Sequence, residues 1–356
     1  MAEGRGAGDK GQGQVAFPMP HAPCPTPPRL VKRILIIGPS NIGDAILAGD
    51  VVSLVAEQYP GGHLTLVVGS RATALFADDP RVHTLVDAGR YDSAAGRLRL
   101  AAALWRFQPH VVVDLRHTLY PLLLKPLSAW RYLLPPPRTL THMRDRHLWK
   151  LAVQAPAAVR GTAPGARRQP LWLSARDTAH AEALLARWQL GAGQPLVVMC
   201  PGARSHIKRW TAEGFAHVAD RLIRERRADV VFSGEPEEET IIDEITGLMQ
   251  EKPRSVVGRM TIRQLGALMR RAALVITNDS ASLHAASAAG TPTVAVFGPT
   301  DARKYGPTAP RARTVARRLS CAPCERPECR FHHECMRFVS AEEVYGAACE
   351  LLGGHG

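Results

Sequence analysis

The sequence predicts an α/β protein made of two doubly wound parallel sheets that share one cleft, and three observations lead there. A strand, polar turn and helix open at RILIIGPSNIGD (33–44) and the same pattern restarts at LVVMCPGARS (196–205). Residues 275–300, VITNDSASLHAASAAGTPTVAVFGPT, read as one complete βαβ unit closed by Gly290 and Pro292. The chain has 356 residues, 46% of them hydrophobic, enough to bury more than one core and to favour two domains.

Composition narrows the class. No apolar run reaches the roughly 18–20 residues of a membrane span, and the N-terminus lacks the basic-then-apolar layout of a signal peptide, so a cytoplasmic enzyme is expected. Net charge is +13. Residues 31–190 carry 20 Lys and Arg against 11 Asp and Glu, whereas residues 191–356 carry 22 against 19. The front half is therefore the basic one. Either an Arg-rich composition bias or an anionic partner such as a phosphorylated glycolipid, a membrane surface or nucleic acid accounts for it.

In chain order, residues 1–30 are rich in Gly, Pro and Ala and are expected to be a disordered leader. Residues 31–190 form a first Rossmann-like domain. Its strands are expected at 33–37, 64–68, 82–86 and 111–115, with helices at 45–59 and 94–107. Between 116 and 168 the period blurs into irregular helices and loops overlying that sheet, and GTAPGARRQP (161–170) has linker composition. A helix is expected at 178–189. Residues 191–338 form the second Rossmann-like domain, with strands at 196–200, 229–233 and 255–257 and helices at 211–225, 240–249 and 261–270 before the βαβ unit. Residues 339–356 are a terminal amphipathic helix and tail, expected by analogy to link the two halves.

The turns after the strands carry the chemistry. Asp279 and Ser280 suit a helix N-cap, and a turn of this kind at the carboxyl edge of a parallel sheet aims N–H groups and a helix N-terminus at one spot, a seat for phosphate. Four segments, RILIIGPSNIGDAIL, PGARSHIKRW, SGEPEEE and TNDSASLHAASAAGTPTVAVFGPTD, in this order and spacing, resemble glycosyltransferase family 9, the ADP-heptose:lipopolysaccharide heptosyltransferase family. The resemblance covers nearly all of the chain after the leader. It implies a GT-B fold, with an acceptor-side N-terminal domain and a donor-binding C-terminal domain. It also implies inverting, metal-independent transfer of a sugar, a heptose, from a nucleotide-sugar donor such as ADP-heptose to a lipopolysaccharide-core or other saccharide acceptor.

On that resemblance Asp44 is the general base, against its alternative as a helix N-cap, and Lys208 stabilises the leaving diphosphate, with Arg209 behind it. Asp279 meets the sugar, the N–H groups of Ser280, Ala281 and Ser282 meet the phosphates, and His284 is either a ligand contact or a packed helix histidine. Ala281 stands where the family pattern has Gly, which bears on close backbone approach and on any positive φ there. Glu238 holds the nucleotide ribose, although spacing does not decide between Glu237, Glu238 and Glu239. Arg138, His142, Arg144, Arg146 and His147 are set either for anionic groups of the acceptor or for an anionic inner-membrane surface.

Near the end, CAPCERPECRFHHEC places Cys321, Cys324, Cys329 and Cys335 within fifteen residues, beside His332 and His333. A structural metal, zinc first or else an iron–sulfur site, disulfides and free thiols are the readings, in each case a staple and not a reaction centre. Two rivals remain: another nucleotide-sugar enzyme of the same fold, such as an epimerase, and a zinc-containing nucleic-acid-binding protein. The latter is disfavoured because aromatics make up only 6% of the chain and are not interleaved with the basic residues.

Overall fold

The computed structural model describes residues 31–161, 169–191 and 193–353. The expected leader and most of the GTAPGARRQP segment lie outside them. In the first half β1 (Arg33–Ile37) leads into α1 (Ile42–Leu47) and α2 (Gly49–Gln58). Then come β2 (His63–Val68), α3 (Thr73–Phe76), β3 (Thr84–Asp87), α4 (Ala94–Phe107) and β4 (Val111–Asp114), followed by α5 (Tyr120–Leu124), α6 (Trp130–Leu133) and α7 (Met143–Gln154). The second half begins with α8 (Ala175–Trp188), β5 (Leu196–Cys200), α9 (Ala212–Arg226), β6 (Asp229–Phe232), α10 (Glu239–Leu248) and β7 (Arg254–Ser255). It continues through α11 (Ile262–Met269), β8 (Leu274–Asn278), α12 (Ala281–Ala289), β9 (Thr293–Phe297), α13 (Ala302–Tyr305), β10 (Ala312–Ala316), α14 (Glu334–Arg337) and α15 (Ala341–Gly353).

Both sheets are parallel, in the order β3-β2-β1-β4 and β10-β9-β8-β5-β6-β7. In each, the strand order reverses beside the first strand, at β1/β4 and at β5/β8. Ligands of open α/β sheets bind in the crevice outside the carboxyl ends at such a reversal. The central strands β1, β5, β8 and β9 are buried on both faces because helices cover both sides, which is why they read as short continuous apolar runs, whereas the edge strands β3, β7 and β10 are partly exposed. The described residues from Lys32 onward form one compact unit.

Three departures from the sequence expectation have local causes. The helix expected at 45–59 is two helices, α1 and α2, separated at Ala48. The stretch that looked irregular contains α7, twelve residues long. Its inward stripe is His147, Lys150, Leu151 and Gln154, mostly polar, so no apolar period marks it. Those polar groups close off the end of β4: Gln154 accepts from the Asp114 N–H at 2.7 Å and donates to the Asp114 carbonyl at 3.1 Å, and the Lys150 ammonium donates to the Leu115 carbonyl at 2.6 Å. The buried Asp50 pairs with Arg144 and ties α7 to α2. Finally, α15 does not cross to the first sheet. Val344, Tyr345, Ala348 and Leu351 bury against α9 and the β8–β10 edge of the second sheet, because its apolar stripe completes that core.

One side chain of this network is unsatisfied. His147 is buried and neither ring nitrogen has a partner, and burial, with the Lys150, Arg146 and His142 charges adding to it, pushes its pKa down to about 3. Between the ordinary value near 6.5 and about 3, the unfolded chain takes up a proton that the native imidazole refuses. Stability contributed here is thus lost as pH falls through that window. Replacing His147 by Leu is expected to raise stability by about 1 kcal/mol and to flatten the acid side of the Tm–pH curve; melting curves at neutral and mildly acidic pH check it, and a lower Tm for the variant would contradict it.

Candidate active site

The site is assembled from the turns at the carboxyl ends of β1, β5, β6 and β8. In the first sheet, Asn41 occupies the N-cap position of α1 and Asp44 lies in the first turn. The Asp44 carboxylate accepts from the Asn41 side-chain amide at 3.5 Å and does not cap the helix, so the capping alternative is set aside. Burial raises its pKa above the ordinary carboxylate value, with Asp279 adding to the rise and the Asn41 bond and the Lys208 charge opposing it. A carboxylate held there is a stronger base than one in water.

Across the cleft, register fixes the donor side. Cys200 pairs with Thr277 between β5 and β8, which puts Pro201 next to Asn278. The Asn278 amide donates to the Pro201 carbonyl at 2.6 Å, and its oxygen accepts from the Trp210 N–H at 3.1 Å. Those bonds hold the PGARSHIKRW loop closed over the end of the sheet. Lys208, at the end of a 3-10 turn in that loop, donates to the Asp279 carboxylate at 2.6 Å. Arg209 turns elsewhere and donates to the Ala203 carbonyl at 2.8 Å.

At the start of α12, Ser280 stands in the N-cap position, yet its side chain does not cap the helix. The first N–H groups of α12, at Ala281 and Ser282, are left for another acceptor, the arrangement that suits a phosphate. Ala281 has no positive φ, so alanine fits where the family pattern has glycine. His284 is buried, its Nδ1 has no partner, and burial pushes its pKa down to about 4, leaving a neutral ring beside Asp279.

The acidic run resolves itself. Glu238 alone of Glu237, Glu238 and Glu239 turns inward, while the other two are exposed. Its carboxylate lies over Gly202, where any Cβ would fall within 2.1 Å of both oxygens, and it accepts from the Glu235 N–H at 3.0 Å. Burial raises its pKa. The two halves touch through α1 and α12: a Cβ at Gly43 would lie 2.8 Å from the His284 ring. His142 reinforces the contact through its bond to the Gly306 carbonyl at 3.1 Å, as does Arg263, bonded to the Ala77 carbonyl.

Of the five residues expected to meet an acceptor, Arg144 is used by Asp50, His147 is buried, and His142 is bonded to Gly306. Arg138 is exposed. Arg146 makes no ion pair among the described residues, and its charge reaches Tyr305. Tyr305, the last residue of α13 beyond β9, is a group that no sequence motif marks. It is half-buried and lies within electrostatic reach of Asp44, Asp279 and Arg146. Its position past the carboxyl end of a strand next to β8 is the signal that could have found it.

The cysteines are arranged otherwise than expected of a metal centre. Cys321, Cys324, Cys329 and Cys335 line one cavity of about 440 Å³ beside Ile207, and all are free thiols. No group of three or more His, Cys, Asp or Glu among the described residues converges closely enough to hold a metal ion. Cys335 is buried in the second core with Met336 and serves packing, and its thiol pKa is pushed up to about 11, mainly by burial. The residues as placed do not fit a tetrahedral thiolate site.

Comparison with known proteins decides the family. The model of glycosyltransferase family 9 (heptosyltransferase) matches residues 143–334, more than half of the chain. The chain belongs to glycosyltransferase family 9. Lipopolysaccharide heptosyltransferase 2 of Salmonella typhimurium is 25% identical over 308 residues, 80% of this chain and 87% of that protein. Lipooligosaccharide heptosyltransferase 2 of Campylobacter jejuni is 32% identical over 169 residues, but the match spans 45% of this chain and about half, 52%, of that protein. Among solved structures, E. coli ADP-heptose lps heptosyltransferase II superposes with a TM-score of 0.69 at 21% identity, over 90% of this chain and 98% of that one, a likeness of fold. This family 9 chain is thus a glycosyltransferase with the GT-B fold, as the sequence resemblance implied.

Thiol chemistry checks the placement. Burial pushes the Cys200 thiol, under Ser282 at the end of β5, up to about 12. In the native protein a maleimide is expected to modify Cys321, Cys324 and Cys329 well before Cys335 and Cys200, as read by peptide mass spectrometry. Early modification of Cys200 would contradict the site geometry.

Proposed function

We propose that the chain transfers a heptose from ADP-heptose to a lipopolysaccharide-core or related saccharide acceptor, with inversion at the anomeric carbon. The observation that carries this reading is the facing pair: Asp44 on the first half, and the Lys208–Asp279 pair with the uncapped start of α12 on the second. Membership of the heptosyltransferase family and the named activities of its relatives support the substrate class.

In this mechanism the acceptor hydroxyl gives its proton to the Asp44 carboxylate as its oxygen bonds to the anomeric carbon. The bond from that carbon to the diphosphate breaks on the opposite face, and the electron pair leaves with the diphosphate. Lys208 and the N–H groups of Ala281 and Ser282 neutralise the charge that develops there. Asp279 both holds Lys208 in place and is set to accept from hydroxyls of the sugar. Glu238, held over Gly202, is set to accept from the ribose hydroxyls. No step needs a metal. Arg146 is the cation available for an anionic acceptor group.

Among the described residues no helix is long and apolar enough to cross a membrane. We place the enzyme on the cytoplasmic side, working on a lipid-linked acceptor at the inner-membrane surface.

Asp44→Asn tests the reading. Transfer from ADP-heptose is expected to fall by about 10²- to 10⁴-fold while ADP still raises the Tm as in the parent. The parent's activity should decline as the medium turns acidic, with an inflection above the ordinary carboxylate value of about 4. Retained turnover in the variant would sink Asp44 as the base, and no response to ADP or ADP-heptose would sink the donor.

A further inference from the structure

We infer that residues 119–134, LYPLLLKPLSAWRYLL, are a membrane-docking surface that seats the first half of the enzyme on an anionic phospholipid bilayer. The inference deepens the proposed function, since it names the surface on which a lipid-linked acceptor would be met, but its readout does not depend on transfer.

The segment is folded onto the first sheet by few residues. Pro121 and Tyr132 are buried, and the Tyr132 hydroxyl donates to the Val112 carbonyl at 3.1 Å. Tyr120 and Leu124 pack partly against the same core, while six other large apolar side chains of the segment face outward. Leu127 is 98% exposed, Leu119 74%, Leu133 67% and Trp130 57%, with Leu123 and Leu134 also exposed. Most of the large exposed apolar side chains of the described residues lie here or on the adjacent α4, whose Leu98 and Trp105 are also exposed and which packs against α5. A soluble chain scatters such residues singly; gathered in one folded segment they mark an interaction surface.

Charge identifies what that surface meets. Residues 93–143 hold seven Lys and Arg (Arg97, Arg99, Arg106, Arg116, Lys125, Arg131 and Arg138) and one acidic residue, Asp114, which is buried. Apolar side chains ringed by cations, with Trp130 among them, match the interface of a bilayer: leucines enter the acyl boundary, the indole sits at headgroup level, and the cations meet lipid phosphates. The same segment follows directly from β4, and its continuation, α7, carries Arg146 and His142 to the cleft. Docking through 119–134 therefore brings the membrane plane to the acceptor side of the enzyme.

The test is co-sedimentation of the full chain with vesicles, with ADP-induced thermal shift as the check on fold. The parent is expected to sediment with phosphatidylcholine vesicles containing about 30% phosphatidylglycerol, not with pure phosphatidylcholine, and to be released by high salt. The double variant Leu127→Glu/Trp130→Glu, and separately Leu119→Ser/Leu133→Ser, should bind at least about tenfold more weakly while keeping the parental response to ADP. Three results would overturn the inference: no sedimentation of the parent with anionic vesicles, variants that sediment as well as the parent, or a parental oligomer that the substitutions dissolve, which would make a second copy of the chain the occupant. Loss of vesicle binding with an unchanged ADP response separates this inference from the assignment of the donor site.

Discussion

The arrangement of the site depends on one close approach, of α1 against α12 at Gly43 and His284. Each helix starts at the carboxyl edge of its own sheet, so their contact sets the carboxylate that follows β1 opposite the helix N-terminus that follows β8. Glycine at position 43 is a matter of space, since its φ is not in the left-handed region; what is required is the absence of a side chain against the His284 ring. The cost falls on His284, whose imidazole is buried neutral with one nitrogen unsatisfied. A buried polar atom left without a partner is destabilising, and it is tolerated here where it allows the two halves to meet.

Around that contact, burial and charge divide the labour. Desolvation dominates at Asp44 and at Glu238 and raises the pKa of both, as suits a base and a group that accepts from hydroxyls. Lys208 is held by Asp279 before any donor arrives, so a cation stands ready where a diphosphate would leave and need not be recruited. The loop bearing Lys208 is itself fixed by Asn278 through two backbone groups. Positioning therefore passes from the register of β5 and β8, through Asn278, to the Lys208 ammonium.

Much of this was legible in the sequence because parallel sheets write themselves as apolar runs followed by polar turns, and the turns carry the site. Lys208, Asp279 and Glu238 are in such turns, and Asp44 is in the first turn of the helix that follows one. What stayed hidden has four physical causes. The inner face of α7 is polar, satisfied by β4 and not by apolar packing, so no periodicity revealed it. The inward turn of Glu238, against its neighbours, depends on the space over Gly202, and spacing along the chain does not contain that. Four cysteines in fifteen residues signal a metal centre or disulfides by number, yet here all four line a cavity and one of them, Cys335, is also drawn into the second core. Tyr305 has no motif because it is a single aromatic at the end of a four-residue helix; only the fold brings it toward Asp44 and Asp279.

In the proposed mechanism the separation of α1 and α12 governs transfer, and Gly43→Ala changes it with one methyl group. Steady-state transfer from ADP-heptose, measured beside ADP affinity, tests this most directly. The base is expected to be displaced from the donor, so kcat/KM should fall by about 10²-fold with ADP affinity changed far less. A Gly43→Ala enzyme that transfers at the parental rate would contradict the central claim.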